Sequence, residues 1–513
     1  MVDGMNRLYP WIALLASVAS ASAQSLNPES VARAAPGGSL PRSGVQVSAL
    51  SPFPANCLSN QTGSVYQNSA VEPFVAVDPN RPEHLVGAWQ QDRWSNGAAT
   101  GVLAAVSMDR GRTWTTSFAH FSICTGGTYE RASDPWVSIA PDGTVHQAAL
   151  GVNGAGVLTS VLVSRSSDGG FTWSEPITVD VRPGDDKESI TADPTDARYV
   201  YTIWDNTNGN SAPAWFSRST DGGITWEPAR IIYSPAVGGH ANSHQIQVLQ
   251  DGTLVDVFAL TPPTVNGRSQ LTSIAVMRSQ DHGASWSAPA IVSTDGTIGT
   301  VDPKTQNDLR TGAGIPSASV DPVSGAVYIV WTDARFSGGL RDGVALSKSL
   351  DGGVTWSAPV QINQAPGVQA FTPTVAAGAG RVAVTYYDFR QDTNDPNVLM
   401  TTCWRVVSVN GGSSWTETQV AGPFDLLSAP LAGGAPFIGD YQGMAASGEL
   451  FVAFYVAANS GNAMNPANVF ASSLERAGDT RGNGRTEINL HPHPMRVGEK
   501  LPPEQARSKN LKQ

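Results

Sequence analysis

Short apolar runs recur along the chain in pairs, bounded by Gly, Pro, Asn or Asp. Pro73–Val77 precedes Leu85–Trp89, Pro316–Val320 precedes Val327–Trp331, Pro373–Ala376 precedes Val382–Tyr386, and Tyr441–Ala446 precedes Leu450–Tyr455. Runs of this length between turn formers predict β-strands. An octapeptide of consensus S-x-D-x-G-x-T/S-W then recurs six times. It reads SMDRGRTW at 107–114, SSDGGFTW at 166–173, STDGGITW at 219–226, SQDHGASW at 279–286, SLDGGVTW at 349–356 and SVNGGSSW at 408–415. Its third positions (109, 168, 221, 281, 351 and 410) lie 53 to 70 residues apart, a period that fits one four-stranded sheet with its loops. The Asp side chain suits a tight turn because it accepts backbone N–H bonds there. Gly supplies positive φ, and Trp offers a ring to place between neighbouring units. The last strand pair has no octapeptide, but a further strand, Val469–Ser473, follows it. This predicts seven units, the last lacking its fourth strand. Val45–Leu50, an alternating segment, is expected to supply that strand and so close the ring.

Composition agrees with an all-β chain. Gly 52, Pro 35 and 14 Trp accompany only 15% charged residues and 41% hydrophobic ones, which excludes a disordered polyelectrolyte. A net charge of -11 argues against nucleic acid as a partner, since phosphate binding needs a basic face. Arg7, the apolar run Trp11–Val18 and Ala21-Ser22-Ala23 read as a secretory signal peptide over 1–23, cut after Ala23. Residues 24–43 are expected to be a flexible segment, 44–476 the repeat domain and 477–513 a disordered tail. No other stretch is apolar enough to span a bilayer. The expectation is a secreted monomer, periplasmic if retained in a Gram-negative cell. Export permits a disulfide, and Cys57 and Cys124 both lie in polar loop sequence, so they are paired, leaving Cys403 as a buried thiol. Closing that loop stabilises by roughly 4 kcal/mol in the chain-entropy model. The cysteines form no metal-ligand spacing and no cofactor is expected, while the Asp205–Asn208 loop leaves a structural cation open without completing a calcium motif.

The octapeptides, together with VEPFVAVDP, WQQDRW, ERASDPWVS and FIGDYQGMA, resemble the Asp-box (BNR) repeats of sialidases and related secreted glycan-active propellers. The resemblance spans about residues 44 to 476. It implies a β-propeller, seven-bladed by the count above, with the six-bladed sialidase type as alternative. It also implies an active site opposite the boxes, where first strands begin and second-to-third-strand loops return. First-strand starts carry Glu72, Arg131 and Asp134, Lys187 and Glu188, His244, Arg310, and Asp440 and Tyr441. The loops carry Asp92-Arg93, Asp205-Asn206, Asp333-x-Arg335 and Asp388-x-Arg390. Such Asp/Arg pairs also serve as local structural locks. By resemblance to sialidases, Tyr441 is the candidate nucleophile, Glu188 its base, and Asp92 or Asp134 the acid. Arg93, Arg335 and Arg390 are the candidate clamp for a substrate carboxylate, with Arg131 and Arg310 in reserve and His244 and Asp440 lining the site. A Tyr nucleophile is the recognised departure from the two-carboxylate scheme. The Arg-Ile-Pro motif expected before the first box is absent, Gly314-Ile315-Pro316 being the nearest text. The expected function is a sialidase-like hydrolase acting on an acidic glycan. The alternatives are a lyase cutting a uronic-acid linkage, with Lys187, His244, Tyr129 or Tyr441 as base, and a non-catalytic glycan- or protein-binding propeller.

Overall fold

The computed structural model describes residues 44–472 apart from 55, 59, 155–157, 266–269 and 449. The expected signal peptide, the 24–43 segment and the 477–513 tail lie outside the described residues. Those residues form an all-β structure. Antiparallel four-stranded meanders follow one another, seven of them among the described residues. The first runs Val65–Val77, Leu85–Trp94, Ala99–Ser107, Thr115–Ser117. The other six begin at Arg131–Ile139, Asp185–Ala192, His240–Val248, Ser317–Val320, Ala370–Gly378 and Gly443–Ser447. One bridge, Ala99 to Ala132, links the first two meanders. The seventh takes its outer strand from the other end of the chain, as Gly44–Gln46 pairs antiparallel with Ala467–Ser472. This strand is shorter than the Val45–Leu50 segment suggested by alternation. Beyond it the Val47 and Ser48 N–H groups both donate to the Val469 carbonyl, and Ser48 Oγ accepts the Val469 N–H at 2.9 Å.

The first strand of each meander lies against that of the next, and the seventh lies against the first. All seven line one cavity of about 260 Å³, through Phe74, Trp136, Ser189, Gln245, Ser317, Thr374 and Met444. These strands share no backbone ladder, so side chains bridge them. Ser189 Oγ donates to the His244 carbonyl at 2.9 Å and Thr191 Oγ1 to the Ile246 carbonyl at 3.0 Å. The Ala192 N–H donates to Ser138 Oγ at 2.9 Å, and the Ala377 N–H to Ser319 Oγ at 2.9 Å. The middle strands are buried on both faces, with Trp89, Trp204 and Trp331 fully enclosed.

Each octapeptide makes a tight turn between third and fourth strands. In the second, Asp168 Oδ1 accepts the Phe171 and Thr172 N–H groups at 3.1 and 2.9 Å, and Oδ2 accepts the Thr172 hydroxyl at 2.6 Å. The sixth keeps this geometry with an amide, because Asn410 Oδ1 accepts the Ser413 and Ser414 N–H groups while its Nδ2 donates to Ser414 Oγ. The box tryptophans reach the preceding meander. Trp114 packs on Phe454 of the seventh at 5.4 Å, Trp173 Nε1 donates to Ser117 of the first, and Trp286 meets Phe216 of the third edge-on at 5.6 Å. Cys57 and Cys124 are disulfide-bonded with Cα atoms 5.9 Å apart, and Cys403 is a buried free thiol. Among the described residues no helix is long and apolar enough to cross a membrane.

Candidate active site on the axis

One backbone irregularity builds the site. In five meanders the first strand slips register against the second, and a non-glycine residue at the slip adopts positive φ. These residues are Glu72 (51°), Asp134 (49°), Lys187 (51°), Ser243 (61°) and Thr372 (47°). A bulge re-aims the side chain it carries, and left-handed backbone at a non-glycine residue costs about 1–2 kcal/mol. Proline follows at 73, 135 and 373, where the broken ladder asks for no N–H. Two short ribbons supply the rest. Thr300–Val301 with Asp308–Leu309 ends at Arg310, and Leu431–Ala432 with Ala435–Pro436 leads into Phe437 and Asp440. Gly439, at φ 134°, lets this segment pass Glu72, whose Cα would lie 3.0 Å from any Cβ there.

Lys187 stands among carboxylates. Its Nζ lies 3.3 Å from Asp440 Oδ2, 3.3 Å from Asp134 Oδ2 and 3.7 Å from Glu72 Oε1. Arg310 Nη2 pairs with Asp440 Oδ2 at 2.6 Å, and the guanidinium lies 4.6 Å over the Phe437 ring. Arg93 shares that ring at 4.8 Å. Glu72 accepts from the Gln90 amide and, at 3.3 Å, from the Asp440 N–H. Tyr441 packs on Trp136 at 5.6 Å, with Lys187 Nζ 5.2 Å from its ring centroid. Glu188 is buried with no hydrogen bond to either carboxyl oxygen.

The environment separates these acids. Burial, then the Asp134 charge, pushes Glu72 up to about 7 and Asp186 up to about 6. The same two causes raise Glu188 well above the carboxylate range, and burial with the Asp186 charge does so for Asp205. Asp440 moves the other way. Burial opposes its charge, but Arg310 and Lys187 hold it well below the usual range. Burial also opposes the charge on Lys187, yet Asp134, Asp440, Glu72 and Asp186 raise its pKa. Among the described residues no group of three or more His, Cys, Asp or Glu side chains is arranged to hold a metal.

Of the residues singled out in the sequence, Arg93, Asp134, Glu188, Arg310, Asp440 and Tyr441 come together here. Five make their side-chain contacts elsewhere. Arg335 is held by Asp333 and donates to Ser293 Oγ at 3.0 Å. Arg390 is held by Asp388 at 2.6 Å and Glu417 at 2.5 Å, with its guanidinium 3.7 Å over the Trp404 ring. Arg131 lies on Trp94 and donates to Asn96 Oδ1 and the Thr62 carbonyl. The expected three-arginine clamp is therefore not assembled. Asp92 anchors the N-terminal segment, accepting from Ser51 Oγ at 2.6 Å and the Asn68 N–H at 2.7 Å. His244 is buried against Asp256, 2.8 Å away, and stacks on Phe258. Two chemical roles also change. The Tyr441 hydroxyl donates to the Pro135 carbonyl at 3.4 Å, and burial with the surrounding Glu72, Asp134, Glu188 and Asp440 charges raises its pKa, which disfavours a phenolate nucleophile. Burial and the Asp134 charge push the Glu188 carboxyl well above the usual carboxylate range, which suits an acid rather than a base. Lys187, a candidate base under the lyase alternative, stands at the centre of the cluster, Glu72 and Asp205 join it without having been given a role, and Asp186 and Gln90 complete it. The usable signal was the acid–Pro doublet repeated at 72–73 and 134–135 in equivalent strands.

The family model described as BNR repeat-like domain matches residues 83–366. The chain belongs to the BNR repeat-like family. The match spans the first five boxes, and the sixth, with Asn410, keeps the same turn beyond it. The fold is thus the sialidase-like BNR fold. Similar solved structures include a Hadza microbial sialidase, 16% identical over 76% of this chain and 74% of that one, with a TM-score of 0.42. An α-L-arabinofuranosidase from Fusarium graminearum is 14% identical over 67% and 92%, with a TM-score of 0.43. A polysaccharide lyase titled ulvan lyase is 12% identical over 70% and 86%, with a TM-score of 0.45. At these identities the likenesses assign no activity. No curated protein matches the chain.

Proposed function

We propose that the seven meanders are the blades of a seven-bladed propeller and that the axial cluster is the active site of a glycoside hydrolase. Cyclic packing of the first strands around one cavity supports the blade count. The observation that carries the activity is the division of the carboxyls. Burial and the Asp134 charge push Glu188 up, with no hydrogen bond to either of its carboxyl oxygens, while Arg310 and Lys187 pull Asp440 down against burial. Carboxyls driven apart by their surroundings mark a site of acid–base work, and the pair assigned here is Glu188 with Asp134, Asp440 holding Lys187 and Arg310 in place. Glu188 protonates the leaving glycosidic oxygen. Asp134, facing Lys187 and bound through Oδ1 to Ser133 at 2.6 Å, attacks the anomeric carbon or activates water.

The charge balance bears on the substrate. Six carboxyls (Glu72, Asp134, Asp186, Glu188, Asp205, Asp440) surround three cations (Arg93, Lys187, Arg310), and Lys187 and Arg310 are already paired with carboxylates. With Lys187 and Arg310 engaged by carboxylates, a neutral glycan is favoured over an acidic one. A sialidase-type reading rests on Arg310, whose side chain is 36% exposed and able to exchange Asp440 for a substrate carboxylate. The Cys57–Cys124 disulfide supports export.

The test is product mass spectrometry on neutral, sialylated and uronic-acid oligosaccharides. Products heavier in sum by one water, with turnover lowered about 10²-fold or more in Glu188→Gln, are expected. Unsaturated products would establish a lyase. No product from any arm, or full activity in Glu188→Gln, would reject the proposal.

A further inference from the structure

The side chain of Gln90, fully buried in the second strand of the first meander, touches three members of the axial cluster. Arg93 Nη1 donates to its Oε1 at 2.5 Å. A guanidinium has no acceptor, so this contact fixes the amide with oxygen toward Arg93 and nitrogen away from it. The nitrogen then donates to Glu72 Oε2 and, at 3.2 Å, to Ser133 Oγ. Having accepted there, Ser133 gives its own proton to Asp134 Oδ1 at 2.6 Å. The chain therefore runs one way, from Arg93 through Gln90, and branches to the carboxyls of Glu72 and, through Ser133, of Asp134.

We propose that Gln90 is a positioning residue, which holds Glu72 and Asp134 as hydrogen-bond acceptors in one shared orientation and favours the ionised form of Glu72. This rests on reading the axial carboxyls as the active site. Neither Arg93 nor Lys187 does the same work on Glu72. Arg93 spends its recorded hydrogen bond on Gln90, and Lys187 stays 3.7 Å from Glu72 Oε1. Donation to a carboxylate stabilises the charged form, so removing the amide leaves burial and like charge less opposed. The groups facing Glu72 are Asp134, Lys187 and Asp440, which raise or lower its proton affinity directly, with Arg93 and Arg310 on the cationic side and Tyr441 against the same wall.

The test follows the Glu72 carboxyl by infrared difference spectroscopy against pH in protein carrying ¹³C-labelled glutamate, with Glu72→Gln assigning the band. In Gln90→Met, of similar size but without hydrogen bonds, the Glu72 midpoint should rise by about one pH unit, a tenfold gain in proton affinity. Gln90→Glu still accepts from Arg93 and keeps the packing, but loses the donor and adds like charge, so it should move the midpoint the same way. An unmoved midpoint in either folded variant overturns the proposal. This readout needs no turnover. A protein that hydrolyses nothing while its Glu72 band shifts would sink the hydrolase reading and leave the role of Gln90 standing.

Discussion

Gln245 offers a direct test of how the first strands are held together. Its Nε2 donates to the Pro316 carbonyl at 2.8 Å, and its Oε1 accepts the Ala318 N–H at 3.0 Å. One side chain thus does what a backbone ladder would do between the fourth and fifth meanders. Gln245→Leu keeps most of the volume and strips both bonds. Each buried backbone group left unpaired costs about 1–3 kcal/mol. Gln245 borders the axial cavity, so water can reach the freed groups, and the lower end applies, about 2–3 kcal/mol in all. With about 2.1 cal/mol/K of unfolding entropy per residue over roughly 430 residues, Tm should fall by about 2–3 °C. The control is Gln247→Leu, two residues along the same strand and lining the same cavity, whose side chain clasps no neighbouring strand and which should stay within about 0.5 kcal/mol. Urea unfolding and calorimetry of both variants decide the matter. If Gln245→Leu unfolds with the control, the clasps do not hold the strands together.

Stability should fall as pH rises from about 5 to 7. Glu72, Asp185 and Asp295 are pushed up to about 7, and Asp186 and Asp342 to about 6, chiefly by burial, so the folded chain binds protons that the unfolded chain has released. Each such proton contributes about 1.4 kcal/mol per pH unit, and His146, lowered to about 4 by burial, opposes with at most one. Flat or rising stability across that window in chemical unfolding would refute the assignment. Arg390→Ala should lower stability by about 1–3 kcal/mol, because Asp388 stays buried without its partner, and should leave turnover within a factor of about two. A large loss of turnover in a stable Arg390→Ala would return this arginine to the site.

The repeat was legible because each box is a local device, whose Asp, Gly and Thr meet within one turn. The arginines misled for a reason visible in the spacing. Each second strand ends at its aspartate and the chain turns at once, so Arg335, opening a 3-10 turn, folds back on Asp333, and Arg390, in the turn after its strand, folds back on Asp388. Adjacent residues face opposite ways, so Asp92 turns to the N-terminal segment and Arg93 to the axis. Of the three loop arginines, only Arg93 was free to converge. The bulges were harder to read. A one-residue slip changes which side chains face the axis, and nothing in a single strand announces it. Only strand-by-strand comparison sets Glu72 beside Asp134, Lys187 and Ser243.

The same repeat thus places carboxyls in two opposite settings. The box aspartates are exposed and fully supplied with donors from their own turns, which holds Asp168, Asp221 and Asp281 near 2. A carboxylate so satisfied neither gives nor takes a proton at neutral pH, so the five aspartate copies of the most conspicuous motif, like the sixth with its Asn410, carry no chemistry. The axial acids arise where the repeat breaks its own ladder. There the backbone supplies few donors, burial disfavours charge, and Glu72 and Asp186 come to titrate near neutrality while Asp440 stays ionised. Repetition therefore marks what holds the molecule together. The irregularity laid on it, at one bulge in each of five meanders, marks where protons can move.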